Sequence, residues 1–351
     1  MVAVASSSQS LTKLRRRVRL GETAGRVAGW LIVGGIAFWI IANIVKSPSQ
    51  FFAAFLTGIN NGALYALIAL GYTMVYGIIE LINFAHGDLF MLGTVISANV
   101  FVNWLGLGDL GASGLAGLLL SMVVAMAACA LINVGTEVIA YRRLRNAPKL
   151  APLITAVGFS FIFQDIGINA NGSAPKNWPI KTDLGGPSWN GFQLYQLLLV
   201  LAVTAPLLLL MTWIVTRTNQ GKAMRAVASD QDGARLMGIN VNRTISFVFA
   251  LGGALAGSAG ALWIATHASN SYNLGLRLGL IAFTAAVLGG IGNLVGAVLG
   301  GLLIGVIEAV NNGAAYGLGQ AWSQTVIFAI LITLMVFKPE GLLGRRTTEK
   351  V

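Results

Sequence analysis

The sequence predicts an all-α integral membrane protein with about 8–10 transmembrane segments. Hydrophobic residues make up 56% of the 351 residues and charged residues only 10%, a balance that is not typical of soluble domains. Apolar stretches of about 20 residues, the length that crosses a bilayer as a helix, recur along most of the chain. Because no polar region exceeds roughly 30 residues, the sequence also argues against a separate catalytic domain.

Residues 1–26 form a basic cytoplasmic extension ahead of the first apolar segment. Its cations are Lys13, Arg15, Arg16, Arg17, Arg19 and Arg26. The apolar run that follows, Val27 to Val45, is longer than the core of a secretory signal peptide. We therefore expect an uncleaved first helix that begins on the cytoplasmic side.

Nine further apolar segments follow, each compatible with a full or partial crossing. They are residues 55–78, 81–103, 114–140, 151–170, 193–216, 245–266, 278–291, 294–310 and 321–338. Dividing the chain at the loop 171–192 gives two halves of opposite topology, which predicts an inverted 5+5 repeat with broken or re-entrant helices. The predicted organisation is one transmembrane domain at 27–343, with halves at about 27–170 and 193–338 and a cytoplasmic tail at 344–351.

The basic residues predict the orientation. Nineteen of the 23 Lys and Arg lie in residues 1–26, 141–149, 217–243 and the tail from Lys338. The positive-inside rule places these four stretches in the cytoplasm and the other cations, Lys46, Lys176, Lys181 and Arg277, outside. Both termini are then cytoplasmic, which requires a break at Gly289–Asn293 between two short spans. Since topology explains the net charge of +11, we do not expect nucleic-acid binding.

The longest polar passage between apolar segments is Arg217–Arg243. Its middle, Lys222–Met237, lacks Pro and favours a helix. Five apolar residues fall on one stripe of that helix: Ala223, Ala226, Val227, Ala234 and Met237. We predict a short amphipathic helix that is presented to a soluble partner, with an ordinary solvated loop as the alternative.

Polar residues interrupt the apolar pattern at two places. Asn83, His86 and Asp88 lie within six residues at a membrane segment, and burying such groups without partners costs several kcal/mol. The second break contains Gly290, Gly292 and Asn293. We predict that these six residues line a substrate pathway. The alternative is that Asn83 and Asp88 cap the broken backbone while His86 bonds a neighbouring helix.

Other features predict structure rather than chemistry. Glu137, Asp165 and Glu308 are interpreted as structural or interfacial charges, and His267 as a loop residue. An interfacial aromatic belt is expected from the tryptophans near predicted helix ends, which are Trp30, Trp104, Trp213, Trp263 and Trp322. The lone Cys129 predicts neither a disulfide nor a metal site. No catalytic triad order, HExxH, CxxC or GxxxxGK[ST] motif occurs, so no catalytic or metal-binding residue is predicted.

Four stretches resemble the membrane permeases of branched-chain amino acid ABC importers, and the LivH-type subunit in particular. They are INFAHGDLFMLG at 82–93, YRRLRNAPKLAPLITAVGFSF at 141–161, GKAMRAVASDQDGARLMGINVNR at 221–243 and AAVLGGIGNLVGAVLGG at 285–301. The resemblance covers about residues 55–343 and leaves residues 1–26 unexplained. The Glu-Ala-Ala…Gly pattern of ABC importers is not literally present; Ala226–Gly238 is only related to it.

The resemblance implies that residues 217–243 couple the permease to a separate ATPase, which would hold ATP and Mg²⁺. The coupling candidates are Arg225, Asp230, Asp232, Arg235 and Gly238. It further implies a homologous second permease subunit, two ATP-binding subunits, a solute-binding protein and a prokaryotic plasma membrane location. The expected cargo is branched-chain or other hydrophobic amino acids. The alternatives are urea or short-chain amides and, more remotely, a proton-coupled secondary transporter that uses His86 and Asp88.

Overall fold

The computed structural model describes residues 38–344, except 82, 110–111, 146, 149, 182–187, 190–191 and 339. The basic extension 1–26 and the first part of the predicted segment Val27–Val45 lie outside these residues. The helices are α1 (Pro48–Ile79), α2 (Ala85–Ala98), α3 (Ala112–Thr136), α4 (Leu150–Asn171), α5 (Leu194–Arg217), α6 (Asn219–Ser229), α7 (Gln231–Leu236), α8 (Val241–His267), α9 (Leu274–Gly289), α10 (Leu294–Gly313) and α11 (Ser323–Phe337).

Irregular turns extend three of these helices. A π-helical turn, Asn99–Trp104, continues α2, and another, Glu137–Tyr141, leads from α3 into the short helix Arg142–Leu144; the 3₁₀ turn Gln320–Trp322 precedes α11. Four two-residue strands form two antiparallel pairs: β1 (Lys176–Asn177) with β4 (Ser269–Asn270), and β2 (Ser188–Trp189) with β3 (Phe192–Gln193).

Eight helices in the described part of the chain are long and apolar enough to cross a membrane, and α9 is a shorter apolar helix. This confirms the prediction of a multi-pass, all-α membrane protein. The predicted boundary of the second segment is wrong, because α1 begins at Pro48 rather than at residue 55. Pro is well suited to the first position of a helix, so α1 begins within the polar passage after Lys46. Residues 38–46 are also helical.

The helices divide into a buried centre and an exposed periphery. The most apolar stretches of α1, α2 and α8 are 83%, 83% and 72% buried, whereas those of α4, α5 and α11 are 28%, 17% and 11% buried. A helix that is apolar all round and exposed on most of its surface needs an apolar surrounding. The peripheral helices therefore present surfaces suited to lipid or to another membrane subunit.

The packing of the central helices supports the inverted repeat. The two most extensive helix interfaces are α1 against α10 and α8 against α3. Helix α1 is the second segment of the first predicted half, and α8 is the second segment of the other half. Helices α3 and α10 are the fourth segments of the same two halves. Each of the two interfaces therefore joins the second segment of one half to the fourth segment of the other, as a repeat requires. The polar breaks do not obey the repeat, because Asn83 precedes α2 whereas Gly290–Asn293 follows α9.

Glycine permits both interfaces to form at backbone contact. A Cβ atom built on Gly62 of α1 would lie 2.8 Å from the Cα of Leu302, and one built on Gly253 of α8 would lie 2.8 Å from the Cα of Ala130. Such separations are too short for a side chain. Glycine at these positions therefore allows the helix backbones to touch.

The two ends of the bundle differ in charge. One end, here called the elbow end, holds α6 and α7, residues 141–145 and residues 340–344, which bond the α9–α10 turn. At the opposite end, Lys176 pairs with Asn270 beyond α8, and Arg277 lies in the first turn of α9. The described basic residues are thus divided between the two ends as the charge pattern predicts.

Candidate functional site

Asn83 and His86 lie together at the elbow end, where α2 begins. Asn83 is buried and its Oδ1 accepts a hydrogen bond of 2.9 Å from the Tyr141 hydroxyl. The His86 ring packs edge-on against Tyr72, with 4.7 Å between ring centroids. No described side chain forms a hydrogen bond with either His86 nitrogen. The ring instead interacts with the backbone of α1 at Ile68 and lies against Gly71, so His86 is closely packed on α1.

The space around His86 is very small. A cavity of about 10 Å³ is lined by Asn83, His86, Tyr72, Phe283 and Ile291, among others. That volume holds about one water molecule. The bundle is therefore closed to any larger solute at this level.

Asp88 points away from Asn83 and His86. It is fully buried and accepts hydrogen bonds from two α4 side chains, the Ser160 hydroxyl and the Gln164 amide, the latter at 3.4 Å. Residues two apart on a helix lie on opposite faces, which explains why Asp88 does not line the cavity beside His86. The structure consequently separates His86 from Asp88, and the two do not form one polar path.

Gly290, Gly292 and Asn293 form the turn between α9 and α10. The two glycines have φ values of +103° and +89°, which other residues rarely adopt. Asn293 Oδ1 accepts from Gly296 N at 3.0 Å and so caps α10, while its Nδ2 donates to Leu343 O at 2.8 Å. The contacts observed for these residues are structural, and within this turn it is Ile291 that lines the small cavity.

The passage from residue 217 to 243 contains two helices instead of the single predicted helix Lys222–Met237. Asp230 is extended, with φ −158°, and separates α6 from α7. Its Oδ1 accepts from Asp232 N at 3.0 Å and caps α7. An Asp before a helical run is a familiar N-cap pattern, so the sequence did contain evidence for this break. We call the α6–α7 unit the elbow.

The elbow packs one face on the bundle and exposes the other. Met224, Val227 and Ala234 are buried, whereas Leu236 and Met237 are 89% and 82% exposed. The predicted stripe is therefore wrong at Met237 and omits Met224. The exposure of Leu236 was not predicted, because a helix continuing through Asp230 places the later residues on the wrong face.

The polar residues of the elbow have unequal roles. Arg225 donates to the Val215 carbonyl in the last turn of α5, and Asp230 is occupied as a cap. Asp232 and Arg235 form an exposed ion pair of 3.0 Å. Gly238 follows α7 with φ +81° and no close neighbour. All five predicted coupling residues are exposed, and Asp232 and Arg235 form their ion pair beside the exposed apolar pair Leu236 and Met237.

A buried carboxylate at the elbow end joins α3 to α8. Glu137 is fully buried and forms ion pairs with Arg142 at 2.9 Å and with Arg145 at 2.5 Å. Ser246, near the start of α8, donates to Glu137 at 2.7 Å, and Arg145 also donates to Asn242 at 2.7 Å. The network fastens the end of α3 to the first turns of α8.

A large cavity lies at the opposite end of the bundle. Its volume is about 810 Å³, and it lies among α1, α8, α9 and α10. Tyr65 of α1 donates a 2.6 Å hydrogen bond to Glu308 of α10 at its wall. These residues meet because Gly62 and Gly305 let the two helices touch one turn away. Glu308, interpreted from the sequence as a structural or interfacial charge, thus lies at the wall of this cavity.

The end of α8 forms another wall of this cavity. His267, the last residue of α8 rather than a loop residue, stacks on Trp263 with 3.7 Å between centroids and 4° between planes. Trp263 is only 7% exposed and donates to Ser269 O at 2.9 Å. It consequently belongs to the cavity wall and not to the predicted exterior belt. No group of three metal-ligating side chains occurs within the described ranges.

Comparisons with known proteins agree with this architecture. The family described as the permease component of the branched-chain amino acid transport system matches residues 54–335. The high-affinity branched-chain amino acid transport permease protein BraD of Pseudomonas aeruginosa is 39% identical over 301 residues, which cover 84% of this chain and 96% of BraD. The permease protein LivH of Escherichia coli is 38% identical over 304 residues, with the same coverage. No solved structure shows significant similarity.

Proposed function

Because this chain belongs to the family of branched-chain amino acid transport permeases, we propose that it is the membrane permease subunit of an ATP-driven importer of branched-chain amino acids. The observation that carries the proposal is the identity of 37–39% to high-affinity permeases along 96% of their length. In this role the chain translocates solute and catalyses no reaction. ATP and Mg²⁺ bind to a separate pair of ATPase subunits.

The elbow is the proposed contact with the ATPase. Leu236 and Met237 are large apolar side chains that stand almost fully in solvent beside the Asp232–Arg235 ion pair. Burying one such side chain contributes about 1.5–3 kcal/mol, which makes the pair a suitable anchor for a partner's pocket. Arg225 holds the elbow to the end of α5 and Asp230 caps α7. Gly238 allows the chain to turn into α8.

Helix α8 connects the elbow with the large cavity. Its 27 residues, Val241–His267, span roughly 40 Å at 1.5 Å per residue. The Glu137 network fastens its first turns to the end of α3, while its last turn carries Trp263 and His267 at the cavity. A displacement of the elbow by the ATPase would therefore move the cavity wall as well.

The proposed pathway runs from the large cavity towards His86. The cavity is open to a solute at the opposite end, whereas the space beside Asn83 and His86 holds about one water. This arrangement corresponds to a conformation closed at the elbow end. Asn83, His86 and Ile291 would form the constriction that opens during transport, and Asp88, Gly290, Gly292 and Asn293 would hold the helices around it.

The orientation and partners follow from charge and exposure. The elbow end carries most of the described basic residues, which supports a cytoplasmic location for this end; the charge pattern of the sequence extends that location to both termini in a prokaryotic plasma membrane. A solute-binding protein then docks at the opposite end. The exposed apolar surfaces of α4, α5 and α11 offer an area where a homologous second permease subunit can pack within the bilayer.

Uptake into proteoliposomes tests the proposal directly. The complete complex is reconstituted with its binding protein, and leucine uptake is compared with uptake of urea and short amides. We expect leucine uptake that requires ATP. Uptake of urea instead of leucine would contradict the proposed cargo, and uptake driven by a proton gradient without ATP would contradict the importer itself.

A further inference from the structure

The large cavity has the size and composition of a solute site. Its volume of about 810 Å³ falls within the range of about 300–1,000 Å³ that is usual for small-molecule pockets. Apolar side chains, including Trp263, Leu278 and Ala309, share the lining with charged and amide side chains. Such a mixture suits a small molecule with one polar and one aliphatic part.

Two opposite charges line this cavity without forming an ion pair with each other. Arg277, on α9, lies near enough to Glu308, on α10, to interact with it electrostatically. The ion pairs found among the described residues nevertheless involve only Glu137 and Asp232 as carboxylates. Opposite charges facing a common space can be bridged by a molecule that carries both complementary charges.

The carboxylate side of the cavity is built to accept several hydrogen bonds. Tyr65, itself 2% exposed, donates to Glu308 Oε2 and fixes the carboxylate. Asn60 is 4% exposed, lines the same cavity, and its Oδ1 has no hydrogen-bond partner among the described residues. An ammonium group has three donors, and Glu308 together with Asn60 offers acceptors for them.

We propose that Glu308 and Arg277 bind the two charges of a zwitterionic α-amino acid within this cavity. Glu308 and Asn60 receive the ammonium group, and the Arg277 guanidinium donates to the carboxylate, a geometry in which arginine can form two parallel bonds. The aliphatic side chain then lies against Trp263 and Leu278. The site rests on the proposed function and adds to it a recognition step within the permease, beyond the selection made by a binding protein.

Binding is measured on the assembled permease–ATPase complex in lipid nanodiscs, without the binding protein. Saturation-transfer NMR detects weak leucine binding under these conditions. We expect Glu308→Gln and Arg277→Gln each to weaken leucine binding about tenfold, since each removes a charged partner. Arg277→Lys should bind with intermediate affinity, because it keeps the charge and loses the bidentate geometry. Asp165→Asn, an exposed carboxylate on α4 away from the cavity, is the matched control.

Two leucine analogues with a single charge distinguish binding from a structural effect. Isocaproate lacks the ammonium group and isoamylamine lacks the carboxylate, so both should bind the unmodified complex about tenfold more weakly than leucine. Glu308→Gln should leave isocaproate binding unchanged, and Arg277→Gln should leave isoamylamine binding unchanged. A misfolded variant would lose both analogues.

The proposal is overturned if the unmodified complex does not bind leucine, if it binds the analogues as well as leucine, or if both cavity variants bind leucine normally. ATP-driven leucine uptake, measured after the same complexes are reconstituted into proteoliposomes with the binding protein, separates this result from the proposed function. Uptake without binding in the cavity would refute the site but not the proposed importer. Absence of leucine uptake would refute the importer.

Discussion

Replacing Glu137 with Gln should destabilise the bundle measurably, because it leaves two arginines without their shared carboxylate. Glu137 is fully buried, while the Arg145 and Arg142 side chains are 13% and 35% exposed. Losing a charged hydrogen bond at Arg145 costs about 2 kcal/mol and weakening the Ser246 bond about 1 kcal/mol. The more exposed Arg142 is screened by solvent and contributes less than about 1 kcal/mol.

The expected loss is therefore about 3 kcal/mol in the free energy of unfolding, or about 5 °C in Tm for a chain of this size. Tryptophan fluorescence of the purified protein during heating measures it. Asp232→Asn, which breaks an ion pair whose partners are 86% and 56% exposed, is the control and should change Tm by less than about 1 °C.

A double variant sharpens the test. Glu137→Gln combined with Arg145→Gln should be little less stable than Glu137→Gln alone, because both changes remove the same ion pair. A Tm for Glu137→Gln equal to that of the unmodified protein, or losses that simply add in the double variant, would refute the network as a fastener of α3 to α8.

Three further predictions concern the interfaces and the elbow. Gly62→Leu should prevent the contact of α1 with α10 and abolish recovery of folded protein, whereas Gly135→Ala, in open space, should not; equal yields on size-exclusion chromatography would contradict this. Met237→Asp should weaken co-purification of the ATPase about tenfold or more without changing Tm, with Leu318→Asp, an exposed apolar residue in the loop between α10 and α11 at the opposite end, as the control; unchanged co-purification would argue against docking at the elbow. Asn293→Ala removes a helix cap and a bond to Leu343, so it should lower stability by about 1 kcal/mol and speed protease cleavage near residue 340; an unchanged cleavage rate would show that the bond is dispensable.

Sequence patterns predicted the membrane class, most helix positions and the segregation of basic residues, since these depend on hydrophobicity and charge along the chain. They did not predict where the polar residues meet. Asn83, His86 and Asp88 are close in sequence, but the helical turn directs Asp88 to α4 and His86 to Tyr72. Proximity in sequence is therefore a poor guide to a shared site on a helix.

The large cavity was missed for the opposite reason. Tyr65 and Glu308 are 243 positions apart, and only the approach of α1 to α10 brings them together. The glycines that permit this approach were recognisable as packing residues, but the sequence did not indicate which helices they join. Local sequence rules could have predicted the capping role of Asp230. A new helix starting there would also have placed Leu236 on the exposed face.

Because the α1–α10 and α3–α8 interfaces form through backbone contact, few side chains lose conformational entropy when they form. Glycine has no side-chain rotamers, so such an interface has few alternative packing arrangements. Each pair should therefore move as one rigid body. Gly289 of α9 and Gly300 of α10 bring these two helices into backbone contact in the same way, so Arg277 on α9 and Glu308 on α10 belong to one rigid unit. The separation of these two charges should then change little during transport, and a solute held between them would meet the same pair of charges in each conformation.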